Sequence, residues 1–218
     1  MKTVAIVPIK MNNVRTPGKN TKELSDGTPL ISLIQKSLLA SQLVDEVYVY
    51  CSNEEICNYL LPGVKYLKRD VKYDTAEADV IDMMRVFSEK VPADIYVQAH
   101  ATTPFLSSDS IDNALKAMVS SNYDSALAVR KLQDFLWKDK QPVNYDLNKI
   151  PRTQDMEPYF IETTGLYIYK RNVIQDYRRR IGNNPYLQEV SEVEALDIDT
   201  PIDFEIVDAV YTKMFLGK

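Results

Sequence analysis

Two short stretches carry the side chains that can do chemistry. The first follows directly on an apolar run at residues 4–7. There Pro8-Ile9-Lys10 leads through Asn12, Asn13, Arg15 and Pro17-Gly18 to Lys19-Asn20, gathering three cations and three amides in one loop. Backbone N–H groups of an irregular loop can converge on an anion while lysine ammonium groups neutralise it, which is how phosphates are cradled. The loop has neither the Gly-x-x-x-x-Gly-Lys-Ser/Thr spacing nor Gly-x-Gly-x-x-Gly, and its bland alternative is an ordinary exposed basic loop with a Pro-Gly turn. The second stretch is Asp197-Ile198-Asp199. Alternate residues of an extended segment point the same way, so both carboxylates can meet on one hard divalent cation such as magnesium. Against that stands the simpler role of Asp199 as negative charge at the start of the next helix.

His100, the single histidine, sits where a buried strand gives way to a loop, a place for an orienting hydrogen bond more than for proton transfer. No Gly-x-Ser-x-Gly elbow accompanies it, so nothing supports a serine triad. One histidine with Cys51 and Cys57 does not make a tetrahedral zinc site, and the cysteines are expected to be free thiols without a function. The net charge of −5 and a pI near 5.1 argue against a nucleic-acid partner. They also make the basic loop a local feature whose natural partner is a small anion. No apolar stretch is long enough for a signal peptide or a membrane span, so a cytoplasmic protein with no membrane partner is expected.

These residues need a scaffold, and the pattern supplies one. With 218 residues, 45% of them hydrophobic, the chain reads as one α/β domain. Strand-like runs at 4–7, 47–51, 64–67, 95–98, 125–129 and 164–169 alternate with helical stripes, which predicts a mostly parallel sheet flanked by helices. The stripes are Leu30-Leu33-Ile34-Leu38, Val80-Ile81-Met84-Phe87 and Ile111-Ala114-Leu115-Met118, with Ser107 or Ser108 capping the last. A short helix is expected at 54–60 and another at 172–179, ending in Arg178-Arg179-Arg180, which reads as a solvated basic face. Thr200 as cap, Pro201 as first helical residue and Asp203 behind them start a final helix carrying Phe204, Val207, Val210, Tyr211 and Met214. Residues 131–162 break the βα rhythm and hold the only tryptophan, Trp137, as expected of an inserted arm, a lid or a dimer contact. The strand at 95–98 should present its C-terminal end, with His100, Thr102 and Thr103, to the site.

Taken in order, these segments resemble the cytidylyltransferases that activate 3-deoxy-2-ulosonic acids: the CMP-sialic acid synthetase (acylneuraminate cytidylyltransferase) family with its legionaminic, pseudaminic and Kdo relatives. Residues 8–20 are similar to the family's nucleotide-binding signature, with its first cation at Lys10 and its critical lysine at Lys19. Tyr73-Asp74-Thr75-Ala76 resembles the Asp-Thr-Ala segment, and His100-Ala101-Thr102-Thr103-Pro104-Phe105 the Gln-Pro-Thr-Ser-Pro-Leu strand end. Pro151-Arg152-Thr153-Gln154 resembles the Arg-Gln substrate segment, Thr164-Gly165-Leu166-Tyr167 the Asn-Gly-x-Tyr strand, and Asp197-Ile198-Asp199-Thr200 the metal motif.

The resemblance implies a Rossmann-like nucleotidyltransferase fold of the GT-A type, CTP as co-substrate, magnesium on Asp197 and Asp199, and a homodimer whose exchanged middle region completes each sugar pocket. It places Pro8, Ile9, Lys10, Asn12, Asn13, Lys19, Asn20, Asp74, Thr75 and Ala76 at the nucleotide. Lys10, Lys19 and Asp199 fall in catalytic roles, and His100, Thr102, Thr103, Arg152, Gln154, Glu162 and Thr164 at the acceptor. The implied activity is transfer of CMP to a sialic-acid-like sugar acid with release of pyrophosphate, for surface glycan synthesis. Another nucleotide, a non-sugar acceptor, or a binding protein without turnover are the alternatives. The chain departs from the pattern at Lys10, usually arginine, at His100, usually glutamine, at Leu106, usually arginine, and at Glu77, usually serine. A second arginine and an asparagine expected beside the sugar pocket are missing, and Glu162 puts negative charge there instead.

Overall fold

The computed structural model of the chain describes residues 1–12 and 16–217. Asn13, assigned to the nucleotide, and the loop cation Arg15 therefore lie outside the described residues. Strand β1 is Thr3–Ile9, followed by helix α1, Ile31–Ala40, and strand β2, Glu46–Cys51. Then come β3, Val64–Lys68, α2, Val80–Lys90, β4, Ile95–Ala99, α3, Ser108–Ser120, and β5, Ser125–Leu132. A small hairpin of β6, Trp137–Lys138, and β7, Gln141–Pro142, precedes the long β8, Tyr159–Lys170. Helix α4, Arg171–Gln175, strand β9, Pro185–Glu189, and helix α5, Pro201–Tyr211, complete the chain. No described helix is long and apolar enough to cross a membrane.

The main sheet has the order β3-β2-β1-β4-β8-β5-β9, and pairing directions set only β8 against the rest. From β1 the chain steps outward to β2 and β3, then returns to β4 on the other flank of β1. That reversal opens a crevice at the C-terminal ends of β1 and β4, where ligands of open α/β sheets bind. Strands this apolar need cover on both faces. On one face Ala5, Val7, Val49 and Val97 meet Ile34 and Leu38 of α1 and Ile111 and Leu115 of α3. On the other, Val4, Ile6, Tyr96, Tyr167 and Tyr169 meet Met84 and Phe87 of α2 with Val173 and Ile174 of α4. A smaller cluster joins Leu24, Leu30 and Ile198 to Phe204, Val207 and Tyr211 of α5, whose Thr200–Asp203 capping box forms as expected.

The helix expected at 172–179 ends at Gln175, because Arg178 adopts a left-handed φ of 51° that stops helical hydrogen bonding. The edge strand β9 had no counterpart in the sequence reading. Its five residues include exposed Leu187 and Glu189, so it lacks the apolar signature of its buried neighbours. β5 and β8 also run further than expected, which confines the irregular excursion to residues 133–158.

β8 carries a bulge. Leu127 pairs with Tyr167 but Val129 pairs with Glu162, so four residues of β8 stand opposite one of β5. Thr164 takes a φ of 60° in that bulge, and a Cβ at Gly165 would lie 2.7 Å from Thr103 Oγ1. Gly165→Ala is expected to destabilise the protein by about 2 kcal/mol, since neither the strand nor the buried threonine can yield freely. Urea unfolding checks this, and an unchanged midpoint would contradict the close packing.

Candidate active site

The loop after β1 is closed by its own residues. Asn20, buried, donates its amide to the Lys10 carbonyl (3.0 Å), tying the loop's two ends together. Gly18 has a left-handed φ of 69°, which a glycine adopts without strain, and it starts the short 3-10 turn that holds Lys19. Lys19 then reaches across the fold and donates its ammonium to the carbonyl of Ile198. Thr16 donates its hydroxyl to the carbonyl of Asp199 (3.1 Å). The two chemically suggestive stretches, 179 residues apart at the Lys19–Ile198 contact, are thus one site.

The 197–199 segment is anchored from both sides. Ile198 is fully buried, and its N–H donates to the Thr102 carbonyl (2.9 Å) at the end of β4. Its upstream neighbour Glu194 accepts from the Ser107 and Ser110 hydroxyls (2.6 and 2.7 Å) and from the Ser191 N–H (3.1 Å). Burial works against that carboxylate, but these donors outweigh it and hold its pKa below the usual range. Asp197 and Asp199 stand on either side of the Ile198 anchor. Asp197 accepts from the Thr164 hydroxyl (3.2 Å) through Oδ2, while its Oδ1 is buried with no hydrogen-bond partner. A buried anionic oxygen left unpaired is costly, and it suits a cation ligand. The described residues form no group of three or more acidic, histidine or cysteine side chains able to hold a metal. A magnesium ion here would therefore draw its other ligands from phosphate oxygens and water, as that ion commonly does.

Beside this junction a cavity of about 320 Å³ opens at the β1/β4 crevice, lined among others by Pro8, Lys10, Thr75, Ala76, His100 and Arg69. Five of these six were named from sequence; Arg69 was not. It is buried, pairs with Asp74, and leaves its Nε without a partner. Asp74 also accepts from the Ser52 hydroxyl (2.5 Å), so it positions the arginine from the cavity's edge. The clue in the sequence was placement: Arg69 directly follows β3, whose C-terminal end faces the same side as Lys10.

Other assignments land differently. Ile9 is core, so only its backbone can reach a ligand, and Asn12 is exposed. Thr103, expected at the acceptor, lies inside the fold. It is fully buried, and its hydroxyl donates to the His100 carbonyl (3.0 Å), so it braces the strand end. Leu106 is core as well. Arg152 and Gln154 are exposed on the excursion, where Arg152 forks onto Asp155 (2.7 and 3.0 Å). Thr164 and Glu162 face the site from the bulge of β8, with Glu162 accepting from the Tyr167 hydroxyl.

His100 Nε2 lies 3.0 Å from the Gln98 amide. Burial, then the positive charge of Arg180, push its pKa down to about 4. The imidazole is therefore neutral near pH 7. The unfolded chain binds a proton at His100 near pH 6.5 that the fold refuses until about 4, so stability is present above 6.5 and is lost as pH falls through that window. His100→Gln should flatten the wild-type loss across that window by about 2 kcal/mol, read from unfolding midpoints at several pH values. Parallel pH profiles for the two proteins would contradict the depressed pKa.

Comparison with known proteins points to one family. Over 202 residues the chain is 27% identical to an N-acylneuraminate cytidylyltransferase A of Danio rerio, covering 88% of this chain and 46% of that protein. It thus spans about half the length of the first such relatives. It is 27% identical to a CMP-N,N'-diacetyllegionaminic acid synthase of Legionella pneumophila, covering 95% of each. A 3-deoxy-manno-octulosonate cytidylyltransferase of Escherichia coli is 24% identical, covering 88% of this chain and 81% of that one. The solved structure of a CMP:2-keto-3-deoxy-manno-octonic acid synthetase complexed with CTP shares the fold. It has a TM-score of 0.75 at 20% identity, covering 98% of this chain and 99% of that one. The family model described as cytidylyltransferase matches residues 4–218, and the chain belongs to that family.

Proposed function

We infer that this protein transfers CMP from CTP to a sugar acid of the 3-deoxy-2-ulosonic type, releasing pyrophosphate, with magnesium as cofactor. The observation that carries this reading is the junction of cationic loop and carboxylates, made by Lys19 on the Ile198 carbonyl and Thr16 on that of Asp199. The cavity beside it, with Pro8, Lys10, Arg69, Thr75 and Ala76, takes the nucleotide. Asp197 and Asp199 hold the magnesium, which neutralises phosphate charge when bound. Lys10 and Lys19 offset the charge that grows on departing pyrophosphate. The acceptor's anomeric hydroxyl approaches the α-phosphorus from the His100, Glu162 and Thr164 side, forms the new P–O bond as the bond to pyrophosphate breaks, and passes its proton to the departing pyrophosphate or to water. Positioning and electrostatics suffice for such a transfer, without a covalent nucleophile.

The excursion at 133–158 supports a homodimer. It and the adjoining start of β8 expose Phe135, Trp137, Ile150, Tyr159, Phe160 and Ile161, more apolar surface than a monomer's edge usually shows. Arg152 and Gln154 of this arm would then serve the acceptor pocket of a second copy, leaving 1–218 as one domain with one arm. Pyrophosphate release with each nucleoside triphosphate against a panel of sugar acids tests the reaction. Turnover with CTP and at least one sugar acid is expected; turnover only with another nucleotide, or with none, would overturn the reading.

A further inference from the structure

The arginine run at 178–180 reads from sequence as solvated charge, but the structure separates its members. Arg179 reaches sideways to Asn183 (2.6 Å). Arg180 turns inward, its guanidinium carbon 3.7 Å above the Tyr167 ring and its Nη2 3.3 Å from Glu162 Oε1. His100 packs on that same tyrosine, with ring centroids 6.3 Å apart. Arg180 therefore stands on the acceptor side of the crevice, among residues that the bulge of β8 and the end of β4 present.

This placement is built into the fold. The Asp124 carboxylate accepts the backbone N–H groups of Asn183 (2.7 Å) and Asn184 (3.1 Å), and the Ser125 hydroxyl accepts that of Gly182 (2.8 Å). A Cβ at residue 182 would lie 2.2 Å from Asp124 Oδ1, so glycine lets the turn sit directly on that carboxylate. The docked turn delivers one cation, with its plane fixed by the tyrosine face. Glu162 engages a single nitrogen of that guanidinium, at the long end of hydrogen-bonding range and partly exposed, so the pair is weak. A guanidinium fork held in one plane with most of its donors uncommitted is shaped for bidentate capture of a carboxylate. Arg152, the other candidate, lies out on the exposed arm, where its fork meets Asp155.

We propose that Arg180 is a specificity-determining residue that binds the carboxylate of the acceptor, with Tyr167 and Glu162 positioning its guanidinium. The inference rests on the sugar-acid reading above. Its test uses the full-length protein with saturating CTP and magnesium, steady-state kinetics on the accepted sugar acid, and competition by that acid against its C1 amide. Arg180→Gln should raise the KM for the sugar acid about tenfold or more, leave the KM for CTP within about twofold, and erase the preference for acid over amide. Arg180→Lys, which keeps the charge but not the fork, should fall between. A folded Arg180→Gln protein that retains the wild-type acid-over-amide preference overturns the inference alone. If Arg180→Gln does not fold, an Arg180→Lys protein with an unchanged KM for the sugar acid overturns it equally. A wild type inert toward every sugar acid overturns the proposed function, and this inference with it.

Discussion

Asp197→Asn is expected to lower turnover by about a thousandfold while leaving the thermal midpoint unchanged or slightly raised. The amide keeps the shape of the side chain and an oxygen to accept from the Thr164 hydroxyl. What it removes is the charge on a buried oxygen that has no protein partner. In the protein without ligand that oxygen has no hydrogen bond to lose. Under the proposed reading the same charge meets magnesium triphosphate, so activity should fall while stability does not. The thousandfold loss corresponds to about 4 kcal/mol of transition-state stabilisation. Pyrophosphate release at saturating CTP, with thermal unfolding measured without nucleotide, checks both halves. A loss under about tenfold would take Asp197 out of the metal position.

Lys19→Met should lower kcat by about a hundredfold, with a smaller change in the KM for CTP. Methionine preserves most of the apolar stem and removes the ammonium, so packing is little disturbed. In the ligand-free protein that ammonium is held on the Ile198 carbonyl, the backbone between Asp197 and Asp199. Under the proposed reading it stands beside the triphosphate. Charge on the leaving pyrophosphate grows as its bond breaks, and a cation fixed there is worth more in the transition state than in the ground state. Steady-state kinetics separate the cases: an unchanged kcat with a raised KM for CTP would make Lys19 a ground-state binding residue only.

Much of this site could be read in the chain because its chemistry is compressed into short runs. Lys10, Lys19 and Asn20 sit in one loop, Asp197 and Asp199 flank one buried residue, and Thr200, Pro201 and Asp203 cap the helix that follows. Apolar periodicity likewise placed β1 to β5 and the three long helices α1 to α3 within a few residues, since each must bury a face. The misses share a cause. β9 is half-exposed and pairs only with β5, α4 is cut short by one left-handed residue, and the bulge of β8 depends on contacts with Thr103 and Ala128 that lie far away in the chain. Arg69 and Arg180 were passed over because arginine beside other charged residues looks the same whether it is solvated or turned inward.

By itself, then, the sequence determined the α/β class, the cationic loop, the carboxylate pair and the likeness to cytidylyltransferases, all of which are encoded within local windows of residue type and spacing. Only the tertiary structure decided that the loop and the carboxylates form one junction, that Arg152 is drawn off to Asp155 on the arm, and that Arg180 faces inward over Tyr167. The physical reason is that each of these turns on contacts between elements brought together by the sheet order, and a side chain's direction across a crevice has no local signature.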